Sequence, residues 1–352
     1  MNYIAVILCI LLAGCLENKE NKENKENKEN KENKGSVLFD PGINYLVITV
    51  DVEANPRRQS RDHVGRLIYG AFDEGRAGII EMMDAADEYG VKITFFLDVL
   101  EAFYYPGEIE KVALDIYNRG HDLQLHSHPE IIPDEQWLSI MDKNQNSYTW
   151  SYEEADIMFS LMLEFFSALN LPDPIAYRAG SYRYNANIIK VIKEKGLKIS
   201  SNYNEFSVGG RQPDGWGRQG VFYWDNDILE LPITYPPKSC DKAIKGSDRI
   251  DETYYENLEN PWDKIKNNSI CFGDVKISTM ILHSWSLLSK EDVENSDIDH
   301  FVYKGNEKVE LFRAFLGSMP ADFKVISMLE LSNMSSSPDE IKTVSLSKII
   351  NK

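Results

Sequence analysis

The chain has 352 residues, with 56 acidic side chains against 38 basic ones and a formal net charge of -18. Such an acidic balance argues against a nucleic-acid partner and against a basic membrane-surface patch. It does not choose a substrate.

The run Met1 to Gly14 is apolar and carries no Lys or Arg, and it ends in Leu12-Ala13-Gly14-Cys15. It is too short to span a bilayer comfortably. Small residues before a cysteine read as a lipoprotein signal peptide over residues 1–14, cleaved before Cys15 and lipidated there. The alternative, an uncleaved signal anchor, leaves the protein on the same, extracytoplasmic side of the membrane. Residues 15–35 hold the lipid site and a Glu-Asn-Lys repeat from Glu17 to Lys34. That repeat has nothing to bury and reads as a solvated spacer. Its charges cancel, so the acidity belongs to the folded part.

From Gly35 onward the composition is globular, and about 300 residues suffice for one large domain with a buried core. Asn44 to Val50 reads as a strand ending at Asp51. Arg76 to Tyr89 has helical spacing and stops before Gly90. Lys92 to Leu97 is a second buried strand, and Glu108 to Arg119 a helix closed by Gly120. Gly120 to Leu125 alternates as a strand and runs into His126-Ser127-His128-Pro129. Then come a helix at Tyr152 to Leu169, a strand at Pro174 to Tyr177, a helix at Asn185 to Lys195 capped by Gly196, and a strand at Leu197 to Ser201. Lys276 to Leu282 is a late strand ending at His283. Ser335-Ser336-Ser337-Pro338 marks an edge, which gives a domain over 40–334 and a tail over 335–352. Repeated alternation of strand and helix predicts an α/β fold, a parallel sheet or barrel with its site at the strand C-termini.

Four polar clusters fall at those ends: Asp51-Val52-Glu53, His126-Ser127-His128, Arg178-Ala179-Gly180-Ser181 and Leu282-His283-Ser284-Trp285. Residues two apart on a strand share a side, so Asp51 pairs with Glu53 and His126 with His128. Two imidazoles on one face are either hydrogen-bonded surface histidines or the start of a metal site that a carboxylate completes. One acid can ligate while the other acts as a base. Arg178, placed after a strand, either orients a carboxylate or makes a structural ion pair.

These motifs, in this order from Asn44 to Leu331, resemble the polysaccharide deacetylases, carbohydrate esterase family four, which share the NodB homology domain. The resemblance implies a distorted (β/α) barrel with seven strands and a divalent-metal-dependent hydrolase that removes acetyl groups from a glycan. It implies Asp51 as base, Arg178 as the arginine holding it and His283 as general acid. It implies Glu53, His126 and His128 as ligands of a divalent ion, zinc foremost. The histidines stand two apart where four is usual, so Glu130 is a reserve ligand. Ile199 stands where an Asp is expected, and Arg183 where a Gly is common. Tyr182, Trp216 and Trp285 are candidates for stacking on sugar rings. Two other readings stay open: a catalytically silent glycan-binding lipoprotein, and an amidohydrolase of a small N-acyl compound. Cys240 and Cys271 are either a disulfide or two buried thiols.

Overall fold

Strand β1, Asn44–Val52, is buried along its whole length because both of its faces are covered. Tyr45 and Val47 point to one side and Leu46, Ile48, Val50 and Val52 to the other. The first pair joins an inner apolar cluster with Phe96, Ala176, Ile199 and Ile277. The second set joins an outer cluster with Ile79, Met83, Val112 and Ile116, contributed by helices. Burial on both faces explains why the sequence shows continuous apolar runs here instead of clean alternation.

In this computed structural model the described residues are 37–55, 61–204, 220–225, 227–233, 249–272, 275–291, 300–335 and 341–349. The signal peptide, Cys15, the spacer, Trp216 and Cys240 lie outside them.

After β1 come β2 (Thr94–Asp98), β3 (Asp122–Ser127), β4 (Ala176–Ala179), β5 (Ile199–Ser200), β6 (Phe222–Trp224), β7 (Ile228–Glu230), β8 (Ile270–Phe272) and β9 (Val275–His283). Seven of these run parallel in the order β9-β1-β2-β3-β4-β5-β7. β8 pairs antiparallel with β9, and β6 with β7. The sheet curls until the stretch leading into β6 reaches β8, where the Val221 N–H donates to the Cys271 carbonyl at 3.0 Å. This is an α/β fold with a curled, barrel-like sheet, as the family resemblance implies and as one of the two forms left open by the strand–helix alternation, and the inner cluster lies inside it. Helices α1 (Ile79–Glu88), α2 (Glu108–Asn118), α3 (Tyr152–Ala168), α4 (Ala186–Glu194) and α5 (Glu307–Gly317) put their apolar residues into the outer cluster. No helix among the described residues is long and apolar enough to cross a membrane.

Three local expectations need correction. The helix expected from Arg76 begins at Ile79, because Gly75–Arg76 pairs with Ala71–Phe72 in a small hairpin. Arg178, expected after its strand, lies within β4. Lys342–Val344, assigned to the tail, pairs parallel with β6 as strand β11, and Val344 and Leu346 are buried. Before it, β10 (Phe323–Val325) pairs with the first residues of β1. Helix α6 (Met328–Asn333) is fastened under the barrel by the buried Asp122, whose carboxylate accepts from Thr94 Oγ1 at 2.8 Å, Gln124 Nε2 at 2.6 Å and the Leu329 N–H at 3.1 Å.

Candidate active site

The strand period that turns Tyr45, Val47 and Phe96 inward carries the same side upward to Asp51 and Asp98. Strand register sets His283 beside Asp51, Asp98 beside His126, and His126 beside Arg178. The polar layer therefore sits on the apolar inner cluster at the C-terminal mouth of the barrel, where such folds carry their sites. It opens into a cleft of about 500 Å³ lined by Asp51, Glu53, His126, His128 and His283, among others.

Arg178 is fully buried and bonded on every side. Its Nη1 donates to Asp51 Oδ1 at 2.6 Å and to Thr49 Oγ1 at 3.0 Å, and its Nη2 to Ser201 Oγ at 3.0 Å. The guanidinium lies 4.3 Å from the Phe96 ring centroid. Removing one partner of such a buried pair typically costs about 3–5 kcal/mol, because the other charge is left uncompensated. The end of β4 is held in turn by Asn202, whose Oδ1 accepts the Ala179 N–H at 2.6 Å. Asn202 is itself seated by the buried Glu230, which accepts its backbone N–H at 2.7 Å.

Glu53, His126 and His128 converge. Nε2 of His126 lies 3.2 Å from Glu53 Oε1, and Nε2 of His128 lies 3.3 Å from the same oxygen. The Nδ1 of His126 faces the Arg178 carbonyl oxygen at 2.8 Å. A carbonyl only accepts, so Nδ1 carries the hydrogen, and the Nε2 of a neutral ring would present a lone pair to Glu53. Two acceptors cannot bond, so a proton or a cation belongs between them. Without a metal, protons take that place. Burial opposes protonation of His126, but the Asp51 and Glu53 carboxylates outweigh it and push its pKa up. Burial likewise opposes protonation of His128, and Glu53 and Glu130 push it well up. Burial opposes ionisation of Glu53, yet the two histidines hold its carboxyl well below the usual range. One donor atom from each of the three residues falls within 4.8 Å of the others. Two imidazole nitrogens and a carboxylate oxygen, with the far imidazole nitrogens hydrogen-bonded, fit a divalent ion such as zinc.

Glu130 does not face the triad. Its Oε1 takes the far side of His128, 3.0 Å from Nδ1, and accepts from Arg183 Nη1 at 3.2 Å. It supports the histidine and is not poised as a reserve ligand. Gly180 makes room for the same ring, since a Cβ there would lie 2.6 Å from its atoms. His283 is placed by its N–H, which donates to Ser286 Oγ at 3.0 Å, and a carboxylate oxygen of Asp51 and of Glu53 lies within 4.8 Å of a ring nitrogen. Trp285 stacks on the His283 ring at 4.8 Å and is 4% exposed, so it backs the histidine and offers no face to a sugar. Tyr182 lines the cleft, and so does Tyr104, which is 49% exposed.

Sequence reasoning missed two buried acids beside the triad. Asp98 accepts the His128 N–H at 3.0 Å, and burial pushes its pKa up to about 6 against the pull of His128 and His126. Glu101 accepts the Ala54 N–H at 2.5 Å, and burial, reinforced by Asp98, pushes it well above the usual range. Asp98 had a signal, since an apolar run closing on an acid, FFLD, repeats the pattern of ITVD at Asp51. Glu101 had none. Cys271 is disulfide-bonded, and its partner lies outside the described residues.

No family model matches the chain, and no curated protein matches it. Among solved structures, the chain is similar to a protein from Mycobacterium smegmatis assigned as a polysaccharide deacetylase. The identity is 15%, coverage is 84% of this chain and 92% of that one, and the TM-score is 0.49. It is also similar to the peptidoglycan deacetylase PdaC of Bacillus subtilis, at 12% identity over 84% and 92% of the two chains, with a TM-score of 0.40. A third is a family 4 carbohydrate esterase pseudoenzyme from Bacillus anthracis, at 12% identity over 88% and 69%, with a TM-score of 0.41. The solved structures it resembles are thus polysaccharide deacetylases and family 4 carbohydrate esterases, pseudoenzymes among them.

Proposed function

We propose that the protein is a metal-dependent hydrolase that removes acetyl groups from an N-acetylated cell-surface glycan. The observation that carries this reading is one cleft holding two separate units, a nitrogen and oxygen donor set at Glu53, His126 and His128 and an Asp51 oriented by Arg178. An ion held by the donor set would supply Lewis-acid polarisation of the acetyl carbonyl. Asp51 takes a proton from the attacking water, and the Arg178 bond fixes the orientation of its carboxylate. His283 gives a proton to the departing amine, and its stacking on Trp285 fixes the plane of its ring. The purified protein, loaded with zinc or another divalent ion, is expected to release acetate from chitin oligomers. Glycan binding with no acetate release under any divalent ion establishes the silent-binder reading instead. Two features weigh against that alternative. The short histidine spacing still brings both Nε2 atoms to one Glu53 oxygen, and Trp285 is not an open stacking platform.

The same reading puts the domain outside the cell, tethered through Cys15. The disulfide at Cys271 supports an oxidising compartment. In cells, Cys15→Ser is expected to abolish lipid labelling and move the protein out of the detergent phase. Unchanged labelling would end the lipoprotein assignment.

A further inference from the structure

We infer that Asp98 and Glu101 are positioning residues for the metal, a bracket that sets the backbone of two ligand-bearing segments at once. The inference rests on the reading of Glu53, His126 and His128 as the donor set. Both acids belong to one short stretch. Asp98 ends β2, and Glu101 lies in the 3₁₀ turn Val99–Phe103 that follows it. Asp98 caps this turn, its Oδ1 accepting the Leu100 N–H at 3.1 Å, while its Oδ2 accepts the N–H of His128 at 3.0 Å. Glu101 reaches the other way, to the Ala54 N–H at 2.5 Å.

That N–H belongs to the peptide that follows Glu53. The carbonyl of the same peptide accepts from Ser284 Oγ at 3.1 Å, so the unit is gripped at both ends. With its C-terminal peptide fixed, Glu53 has little freedom to turn its carboxylate away from the histidines. His128 is held at three points: the backbone by Asp98, Nδ1 by Glu130 and the ring face by Gly180. Two donors from β-strand ends at Glu53 and His128 are therefore referenced to one rigid turn and not only to each other.

The arrangement is costly as packing alone. Asp98 and Glu101 are both fully buried, and Glu101 Oε1 has no hydrogen-bond partner among the described residues. A buried polar atom without a partner costs stability, and an apolar residue would fill the space without that penalty. A requirement for placement of the ligand segments accounts for the acids. Outer groups that orient metal ligands typically contribute about 10–100-fold in metal affinity.

The test is cobalt(II) binding to the full-length protein, read by visible absorption, together with the melting temperature of the metal-free protein. Glu101→Leu and Asp98→Ala are expected to weaken cobalt binding about 10–100-fold and to alter the absorption bands, which report ligand geometry. Glu101→Gln keeps an oxygen for Ala54 and is expected to bind like wild type. Asp98→Asn has one carbonyl oxygen where two N–H groups must be met, so it is expected to bind weakly. These last two keep the side-chain shape and decide the matter if the others do not fold. A merely structural role lowers the metal-free melting temperature and leaves affinity and bands unchanged, and that result overturns the bracket while the metal reading stands. If wild type binds no cobalt, the metal reading fails and the bracket falls with it.

Discussion

Asp51→Asn is expected to lower acetate release by about 10²–10⁴-fold, the usual loss when a positioned base is removed, with glycan affinity near wild type. The amide keeps the shape of the carboxylate and its oxygen still accepts from Arg178, but the buried guanidinium loses its counter-charge, so the melting temperature is followed alongside to separate lost proton transfer from collapse of the site. His283→Ala is expected to lose activity on the same scale, because an amine is too basic to depart without a proton. The pH profile of wild type is expected to be bell-shaped, since one group works ionised and the other protonated. Its two limbs are macroscopic and belong to the coupled cleft, not to single residues. Acetate release across pH, with binding followed in parallel, checks all of this. If both variants turn over like wild type, the assignment of roles is wrong even for a true hydrolase.

The second large effect is on the ion. His126→Ala and His128→Ala are each expected to abolish stoichiometric zinc in metal analysis of protein that remains folded. Each removes one of three donors whose nitrogens and oxygen share a 4.8 Å sphere. The pH dependence has a definite sign. Without metal, neighbouring carboxylates raise the pKa of both rings, so binding must displace protons. Zinc affinity therefore falls as pH falls, and binding releases protons to the buffer. Full occupancy in both variants would move the ligands elsewhere in the cleft.

Much of this was legible in the sequence for a geometric reason. A strand displays its side chains with a period of two, so Asp51-x-Glu53 and His126-x-His128 announce shared faces before any fold is known. Parallel strands that alternate with helices also say which end the site occupies. What the sequence did not show is depth and direction. Trp285 looks the same on paper whether it faces a sugar or stacks behind His283. Glu130 has the right spacing for a ligand, but the 3₁₀ turn at Pro129–Ile131 carries it to the far nitrogen of His128. Glu101 belongs to a turn with no strand period to read, and its role depends on Ala54, 47 positions away. The terminal strand Lys342–Val344 is three residues long, with one apolar side chain, too little pattern to separate from a tail.

Strand β1 is made first and completed last. Its neighbours β9 and β10 come from the far end of the chain, and Thr49 bonds to Met280, 231 positions onward. Closing a loop of that length has a large entropic penalty before any contact offsets it, so this pairing belongs to the slow, late part of folding. Until then one side of β1 is an unpaired edge, apolar on both faces, the kind of surface on which chains aggregate. The donors Glu53, His126 and His128 all precede that step, whereas His283 arrives with it. On the proposed roles, all three donors are made before the general acid and before Ser284, which grips the Glu53 peptide, so both a fixed donor set and hydrolysis wait for the last strands to dock.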